Sequence, residues 1–284
     1  MKKTHSAKDS TSLVEREARL KEGLFKELAE LGTAWLSGRG EPHLVFDVGC
    51  GRGLSVLHGW HGVLNRAGVV AELVLLDRSL DALKEASKLL AAVKRERPVH
   101  FIAAEASRLP LRRPREAGWL GFYGSVLHEL RGQGRLDEAL DEASQHFEAL
   151  VGYDFVDPDP ERSVELSEAL RHPAVRERAE ALTELGAADS LTVVLEAVYQ
   201  LSHPRDPSLS HLHFNARFDE VLGELMKHGY EVEWSSLKEV DEEAELRLEV
   251  LGLDLKLPRG LKARAAWLAV SQRRVKSFLS ERPT

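Results

Sequence analysis

One glycine-rich segment, LVFDVGCGRGLSV at residues 44–56, limits the possible folds of this chain more than any other. It joins an apolar run typical of a buried strand to a second apolar run through Gly49, Gly51 and Gly53. Glycine costs about 1 kcal/mol in a helix interior, so three glycines within five residues indicate that the backbone itself approaches something closely. We therefore expect a strand, a ligand-facing loop and then a helix.

Strand and helix patterns alternate around this loop. Apolar runs predict strands at 44–48, 72–76, 99–103, 119–123 and 151–156, and helical spacing predicts helices at 12–36, 54–67, 80–93 and 135–150. Ser79 has the position and the residue type of an N-cap for the helix that begins at Leu80. Later patterns predict a helix at 214–228, a closing hairpin from strands at 229–237 and 246–257, and a final helix at 259–279. This predicts a doubly wound α/β fold with a mostly parallel seven-stranded sheet, a closing antiparallel hairpin, an N-terminal helix and a helical insertion.

The same patterns divide the chain into four parts. Residues 1–40 form an N-terminal helical extension and 41–160 an α/β core that binds a cofactor. Residues 161–211 read as a helical insertion that serves as a lid, and 212–284 as a return to the core with a basic C-terminal helix. A separate second domain is the less favoured alternative, because the sheet needs strands from beyond the insertion.

Composition excludes several classes of protein. The 284 residues carry a formal net charge of -7, which is not the basic excess typical of a nucleic-acid-binding chain. Cys50 is the single cysteine, so an internal disulfide or a cysteine-built metal site is impossible. The N-terminal residues lack a signal-peptide core, and no run reaches the ~18 apolar residues of a membrane span. We expect a cytoplasmic protein without membrane contact.

Asp77 ends the second predicted strand, 24 residues after Gly53. A carboxylate in this place is suited to accept hydrogen bonds from ribose hydroxyls, although an Asp that merely starts a turn is the alternative. The dinucleotide fingerprint G-x-G-x-x-G requires a glycine where Leu54 stands. This departure argues against a nicotinamide or flavin dinucleotide.

Four segments in order, VFDVGCGRG, LVLLDRS, FIAAEASRLPL and GFYGSVLHEL, resemble the class I S-adenosylmethionine-dependent methyltransferases. The resemblance covers residues 40–158 well and 212–257 more weakly, and its first two motifs are the more specific. The turn of Pro-Gly-Gly type that this family often has before the fifth strand is absent from SQHFEALVGYDF.

The resemblance implies S-adenosylmethionine as the cofactor and assigns a set of contacts to it. Asp47 would lie near the amino group, the three glycines along the methionine and ribose, and Asp77 at the ribose hydroxyls. Glu105 and Ala106 would border the adenine, and residues 125–128 would form the floor near the methyl group. The full cofactor-binding set is Asp47, Gly49, Cys50, Gly51, Gly53, Asp77, Arg78, Glu105, Ala106 and Ser125.

His128 and Glu129, just beyond the fourth predicted strand, are the candidate catalytic residues. A neutral histidine can accept a proton near pH 7, but His128 could equally cap or pack the loop. A ring buried away from the cleft and already hydrogen-bonded would favour that structural role. His211 and His213 have the H-x-H spacing of metal ligands, but no third ligand is evident, and we predict no metal site.

The leading functional hypothesis is methyl transfer to a small-molecule acceptor by direct in-line displacement without a metal. The first alternative is an RNA methyltransferase that uses the basic stripe at the end of the chain. That stripe consists of Lys256, Arg259, Lys262, Arg264, Arg273, Arg274 and Lys276. The second alternative is a non-catalytic interaction module that retains the cofactor fold. The sequence predicts no particular oligomeric state.

Overall fold

The structure, a computed structural model, describes residues 7–39, 41–112, 118–157, 173–184, 197, 216–239 and 263–272. A sheet runs through its centre. Its strands are β1 (His43–Val48), β2 (Ala71–Asp77), β3 (Val99–Ala103), β4 (Gly118–Gly124), β5 (Ala149–Asp157), the two-residue β6 (Ala216–Arg217), β7 (Tyr230–Glu239) and β8 (Ala263–Ser271).

Seven of these strands form a continuous sheet in the order β3-β2-β1-β4-β5-β8-β7, and β6 pairs with the end of β5. The first five strands are mutually parallel. β8 lies antiparallel to both β5 and β7. The predicted mostly parallel, seven-stranded sheet with an antiparallel closing hairpin is confirmed.

Helices cover both faces of the sheet. They are α1 (Ala7–Ser37), a π-helical turn (Val56–Trp60) that leads into α2 (His61–Ala67), α3 (Leu80–Leu89), α4 (Val93–Glu96), α5 (Leu127–Gly132), α6 (Leu136–His146), α7 (Pro173–Glu184) and α8 (Phe218–Lys227). Within the predicted insertion 161–211, the structure describes α7 and residue 197. The predicted strand 246–257 lies outside the described residues.

Two hydrophobic cores lie on opposite faces of the sheet because successive strand residues point in opposite directions. On β2, Leu73 and Leu75 join the core beneath α1, α2 and α3. Val74 and Leu76 join the core beneath α5, α6 and α8. Near-continuous apolar strands are therefore required, and this is the pattern that made the strands recognisable in the sequence.

α1 packs closely against the π-helical turn, and two glycines make this contact possible. A Cβ atom on Gly59 would lie 2.6 Å from the carbonyl oxygen of Phe25. A Cβ atom on Gly32 would lie 2.5 Å from the ring of Trp60, which is 1% exposed. The N-terminal helix is thus part of the core and not a loose appendage.

The final helix predicted at 259–279 is wrong for residues 263–271, which form β8. Four alanines, at 263, 265, 266 and 269, give this segment a high intrinsic helix propensity. In the fold, β8 lies between β5 and β7, and all residues from Ala263 to Val270 are buried. Small side chains fit this doubly covered position, so tertiary burial overrides local propensity.

Arg264 belonged to the basic stripe that suggested RNA binding, and the structure places it inside β8. Its side chain is buried, and its guanidinium lies over the rings of Tyr153 and Phe155 at 5.5 Å and 5.6 Å. This burial lowers the pKa of Arg264. Over the described residues 263–272 there is consequently no basic helix facing solvent.

Among the described residues, no helix is both long enough and apolar enough to cross a membrane.

Gly152 on β5 should tolerate no side chain, because residues of the neighbouring strands β4 and β8 occupy the space that a Cβ atom would need. A Cβ atom there would lie 2.4 Å from the carbonyl oxygen of Tyr123 and 2.8 Å from the ring of Trp267. We expect Gly152→Ala to lower the free energy of unfolding by about 1–3 kcal/mol, measured by urea denaturation. Gly223→Ala on α8, where no atom lies within 4 Å, should instead raise it by about 0.5–1 kcal/mol. Equal midpoints for the two variants would contradict this packing.

Candidate functional site

A cleft opens at the carboxyl edge of the sheet, where the strand order reverses. β1 has β2 on one side and β4 on the other, so the loops that follow β1 and β4 diverge. The empty volume between them is about 670 Å³, including space open to solvent. The described residues that line it are Val48, Gly49, Gly51, Leu76, Asp77, Arg78, Ala104, Glu105, Ala106, Ser125, Val126, Glu129, Leu130 and Gln133.

The glycine loop forms one wall of this cleft, and its three glycines have different tasks. All three have positive φ, which only glycine adopts readily. Added Cβ atoms would lie 2.7 Å from Val126 at Gly49 and 2.9 Å from Leu90 at Gly53. At Gly51 no atom lies within 4 Å, so this residue borders open space. Gly51 is therefore where the backbone itself faces the open cleft.

The Asp77 carboxylate fastens this loop to the start of α3. Its Oδ2 accepts a hydrogen bond from the Gly51 backbone N–H at 2.8 Å, and its Oδ1 accepts one from the Ser79 N–H at 2.8 Å. Ser79 in turn caps α3 through the Ala82 N–H, as the sequence predicts. A carboxylate has about four acceptor positions, so Asp77 retains capacity for two ligand hydroxyls.

Asp47 lies beneath the loop and not on the cleft surface. Asp47 is 3% exposed, and its carboxylate accepts a hydrogen bond from the Ser55 hydroxyl. Burial raises the pKa of Asp47 to about 7, against the hydrogen bond from Ser55, and the negative charge of Asp77 raises it further. Asp47 is thus a buried acid whose charge changes near neutral pH.

The opposite wall follows β3. Ala104 continues the sheet edge by donating its N–H to the Asp77 carbonyl oxygen at 3.1 Å. Glu105 and Ala106 then line the cleft. A side chain from the start of α6 contacts this wall, because Arg135 donates to the Glu105 carboxylate at 2.9 Å and to the Ser107 hydroxyl.

Ser125, directly after β4, has φ of 59° and is the non-glycine residue with positive φ in the described part of the chain. Its N–H donates to the carbonyl oxygen of Tyr153 on β5 at 2.8 Å. Such a conformation costs of order 1–3 kcal/mol and concentrates at ligand sites. Its position on the cleft gives this strained residue a place where it can contact a ligand.

The structure brings together most of the residues predicted from the sequence. Gly49, Gly51, Asp77, Arg78, Glu105, Ala106, Ser125 and Glu129 line the cleft. Asp47, Cys50, Gly53 and His128 are not among its described lining residues. The Cys50 residue is 9% exposed, and burial raises the pKa of its thiol. Gln133 was missed because it follows a helix and carries no motif, whereas Leu76 and Ala104 could have been inferred as strand ends.

His128 faces a different environment from Glu129. Its side chain is 9% exposed, its Nδ1 pairs with the Asp154 carboxylate, and its backbone N–H donates to Asp154 Oδ2 at 2.8 Å. Asp154 also accepts the Phe155 N–H, so it fastens the start of α5 to β5. These contacts favour the structural role for His128 that the sequence left open.

A group of metal-ligand type lies away from the cleft, between α6 and α8. Asp137, Glu224 and His228 bring ligand atoms within 4.8 Å of one another. Lys227 places its ammonium 2.7 Å from Asp137, and the two His228 nitrogens contact Asp137 and Asp141. The carboxylates are already paired with side chains of the protein, and the group serves as an ion-pair contact between helices.

No protein-family model matches the chain, and no curated protein matches it. Solved structures do resemble it. Geranyl diphosphate C-methyltransferase from Streptomyces coelicolor A3(2), in complex with Mg²⁺, geranyl diphosphate and S-adenosyl-L-homocysteine, is 12% identical with a TM-score of 0.51. The match covers 94% of this chain and 87% of that one.

Two further structures share the fold at similar identity. The cyclopropane synthase MmaA2 from Mycobacterium tuberculosis is 10% identical, with a TM-score of 0.53 over 86% of this chain and 82% of that one. The [4+2]-cyclase SpnF is 14% identical, with a TM-score of 0.53 over 86% and 80%. The protein thus has the fold of the S-adenosylmethionine-dependent methyltransferases, as the sequence resemblance predicts, and this fold also supports other reactions.

The raised pKa of Asp47 makes stability depend on pH. In the unfolded chain this carboxyl titrates near its ordinary value of 3.8, so between about pH 4 and 7 the folded protein holds one more proton. The free energy of unfolding should therefore fall as pH rises through this window. Asp47→Asn removes the penalty, and its stability relative to the wild type should increase from pH 4 to 7.

The control for this experiment is Asp81→Asn, which removes a carboxylate whose side chain is 89% exposed. Urea denaturation of the three proteins at several pH values measures the difference. A stability difference between Asp47→Asn and wild type that stays flat from pH 4 to 7 would contradict the raised pKa.

Proposed function

We propose that this protein is an enzyme that binds S-adenosylmethionine and transfers its methyl group to a small-molecule acceptor. The observation that carries the proposal is the Asp77 carboxylate, held by the Gly51 and Ser79 N–H groups at the edge of a cleft at the switch point of the sheet. This arrangement matches what the sequence resemblance implies for a ribose-binding acid beside a glycine loop.

The charges along the cleft support this ligand. Asp77, Glu105 and Glu129 line it, with Arg78 as the basic residue in the described lining, and Asp47 lies just beneath. S-adenosylmethionine carries a sulfonium and an ammonium group, which an acidic cleft attracts. The diphosphate of a dinucleotide would be repelled by the same groups. The charge pattern thus favours the methyl donor over NAD, as does the glycine spacing.

When bound, S-adenosylmethionine supplies an activated methyl group on a sulfonium. The protein therefore needs chiefly to orient the methyl donor and the acceptor and to exclude water. Asp77 holds the ribose hydroxyls, and the bare backbone of Gly51 leaves room for close approach. Ser125 and Val126 form the floor between the two loops. We assign no metal ion to the transfer, because a positively charged sulfur is already an adequate leaving group.

Glu129 is the side chain that we propose as the base. It lines the cleft from the first turn of α5, next to the floor formed by Ser125 and Val126. A carboxylate in this place can accept the proton that the acceptor loses. His128 instead packs against Asp154 and Phe155 and holds the turn that presents Glu129.

A small acceptor is favoured over RNA for an electrostatic reason. The basic helix that motivated the RNA alternative is absent from residues 263–271, which form a buried strand. An acidic cleft and a net charge of -7 would repel a phosphate backbone. The structural neighbour named for geranyl diphosphate methylation acts on a small molecule, which is consistent with this choice.

Calorimetric titration tests the cofactor. Wild-type protein should bind S-adenosylhomocysteine and S-adenosylmethionine and should not bind NAD. Asp77→Ala should weaken binding by about 1–3 kcal/mol, because two hydroxyls lose a charged acceptor and the glycine loop loses its tether. Asp81→Ala, which removes an exposed carboxylate outside the lining, should bind normally. Binding of NAD in place of the methyl donor would overturn the proposal.

Turnover separates the two candidate catalytic residues. An acceptor can be found by incubating the protein with isotopically labelled S-adenosylmethionine and a metabolite extract and identifying methylated products by mass spectrometry. Glu129→Gln should lower turnover by roughly 10²–10⁴-fold with little change in folding stability. His128→Ala should lower the melting temperature and preserve turnover per folded molecule. The reverse pattern would make His128 the base and remove Glu129 from the mechanism.

A further inference from the structure

We infer that Arg135 is a positioning residue that holds the β3 side of the cleft, residues 104–109, in its ligand-binding shape. Neither the sequence motifs nor the proposed mechanism gives this arginine a role. The inference rests on the proposed cofactor, because it concerns the wall that we expect beside the adenine.

The segment 104–109 has little regular structure of its own. Ala104 donates to the Asp77 carbonyl oxygen at 3.1 Å, and the Arg108 N–H donates to the Glu105 carbonyl oxygen at 3.0 Å. Between these bonds, Glu105 and Ala106 face the cleft. A short turn with so few internal bonds requires external contacts to keep one conformation.

Those contacts come from the start of α6. Arg135 donates from Nη1 to the Glu105 carboxylate at 2.9 Å and from Nη2 to the Ser107 hydroxyl. About two turns further along α6, the Glu142 carboxylate accepts the Leu109 N–H at 2.9 Å. α6 thus contacts the segment 104–109 near both of its ends, and Arg135 makes the contact at the end that lines the cleft.

The geometry suits arginine specifically. A guanidinium presents its donors in a rigid planar fork, so one side chain can bond two acceptors that lie side by side. The Arg135 side chain is 33% exposed and that of Glu105 is 44% exposed, so the pair alone is a modest source of stability. Its main effect is therefore on the shape of the wall, since it fixes where Glu105 stands.

Gly134 and the turn before it set the position of Arg135. Gly134 has φ of 66°, and the Arg135 N–H donates to the Leu130 carbonyl oxygen at 2.8 Å. Leu130 and Gln133 themselves line the cleft. The end of α5 therefore contributes directly to one side of the cleft and, through Arg135, fixes the other side.

The test compares Arg135→Gln, Arg135→Lys and the control Glu138→Gln. Glu138 lies 3.7 Å from Arg135 Nε with a side chain 68% exposed, and its replacement leaves the bonds to Glu105 and Ser107 intact. We expect Arg135→Gln to weaken S-adenosylhomocysteine binding by about three- to tenfold. Arg135→Lys, which keeps the charge but loses the fork, should fall between, and Glu138→Gln should match the wild type.

Two readouts distinguish positioning from general stabilisation. The melting temperature without ligand should be nearly the same in all four proteins, while the increase produced by S-adenosylhomocysteine should shrink in Arg135→Gln. Hydrogen exchange of the amides in 104–109 should quicken in Arg135→Gln and not in Glu138→Gln, with or without ligand. If the wild type binds S-adenosylhomocysteine, an unchanged affinity in Arg135→Gln would overturn the inference. Unchanged hydrogen exchange of residues 104–109 in Arg135→Gln would overturn it as well.

A failure of the proposed function has a different signature. In that case the wild type would not bind S-adenosylhomocysteine, yet the exchange measurement would still report whether Arg135 holds the segment. Faster exchange in Arg135→Gln would support the inference about the wall even then, and unchanged exchange would end it.

Discussion

The arrangement of the site depends on one carboxylate, that of Asp77, which joins three separate parts of the chain. It ends β2, accepts the N–H of Gly51 in the loop after β1, and accepts the N–H of Ser79 at the start of α3. Hydrogen bonds from backbone N–H groups to a charged carboxylate are stronger than those to a neutral acceptor. The loop is thereby held against the neighbouring strand before any ligand arrives, so less ordering is required on binding.

A second acid, the buried Asp47, lies under the same loop, and together with Asp77 it gives the cleft its electrostatic character. Asp47 is shielded from water and bonded to Ser55, whereas Asp77 remains in contact with the cleft. The negative charge of Asp77 makes the ionisation of Asp47 more costly. A cationic ligand relieves this repulsion. The buried Asp47 that makes the protein less stable at neutral pH therefore also helps the cleft to favour a sulfonium compound over an anionic one.

The sequence predicted the elements in which local pattern and burial agree. The apolar strand before Gly49, the acid at position 77 and the Ser79 cap are each local signals, and the structure has all three. β8 was mistaken for a helix because its alanines favour a helix locally and its strand state comes from β5 and β7 on either side. Gln133 and Arg135 could not be recognised either, since their places depend on how α5 and α6 fold back onto β3.

The position of β8 has a consequence for how the molecule assembles. β5 ends at Asp157. The edge of β5 that faces away from β4 pairs with β8, which is synthesised more than a hundred residues later, so that Ala149 lies beside Val270. Until that strand arrives, β5 exposes an unpaired apolar edge, the type of surface that recruits foreign strands. A slow, long-range closing step is the kinetic counterpart of this topology. A nascent chain of this protein is thus most vulnerable to aggregation between the completion of β5 and the docking of β8.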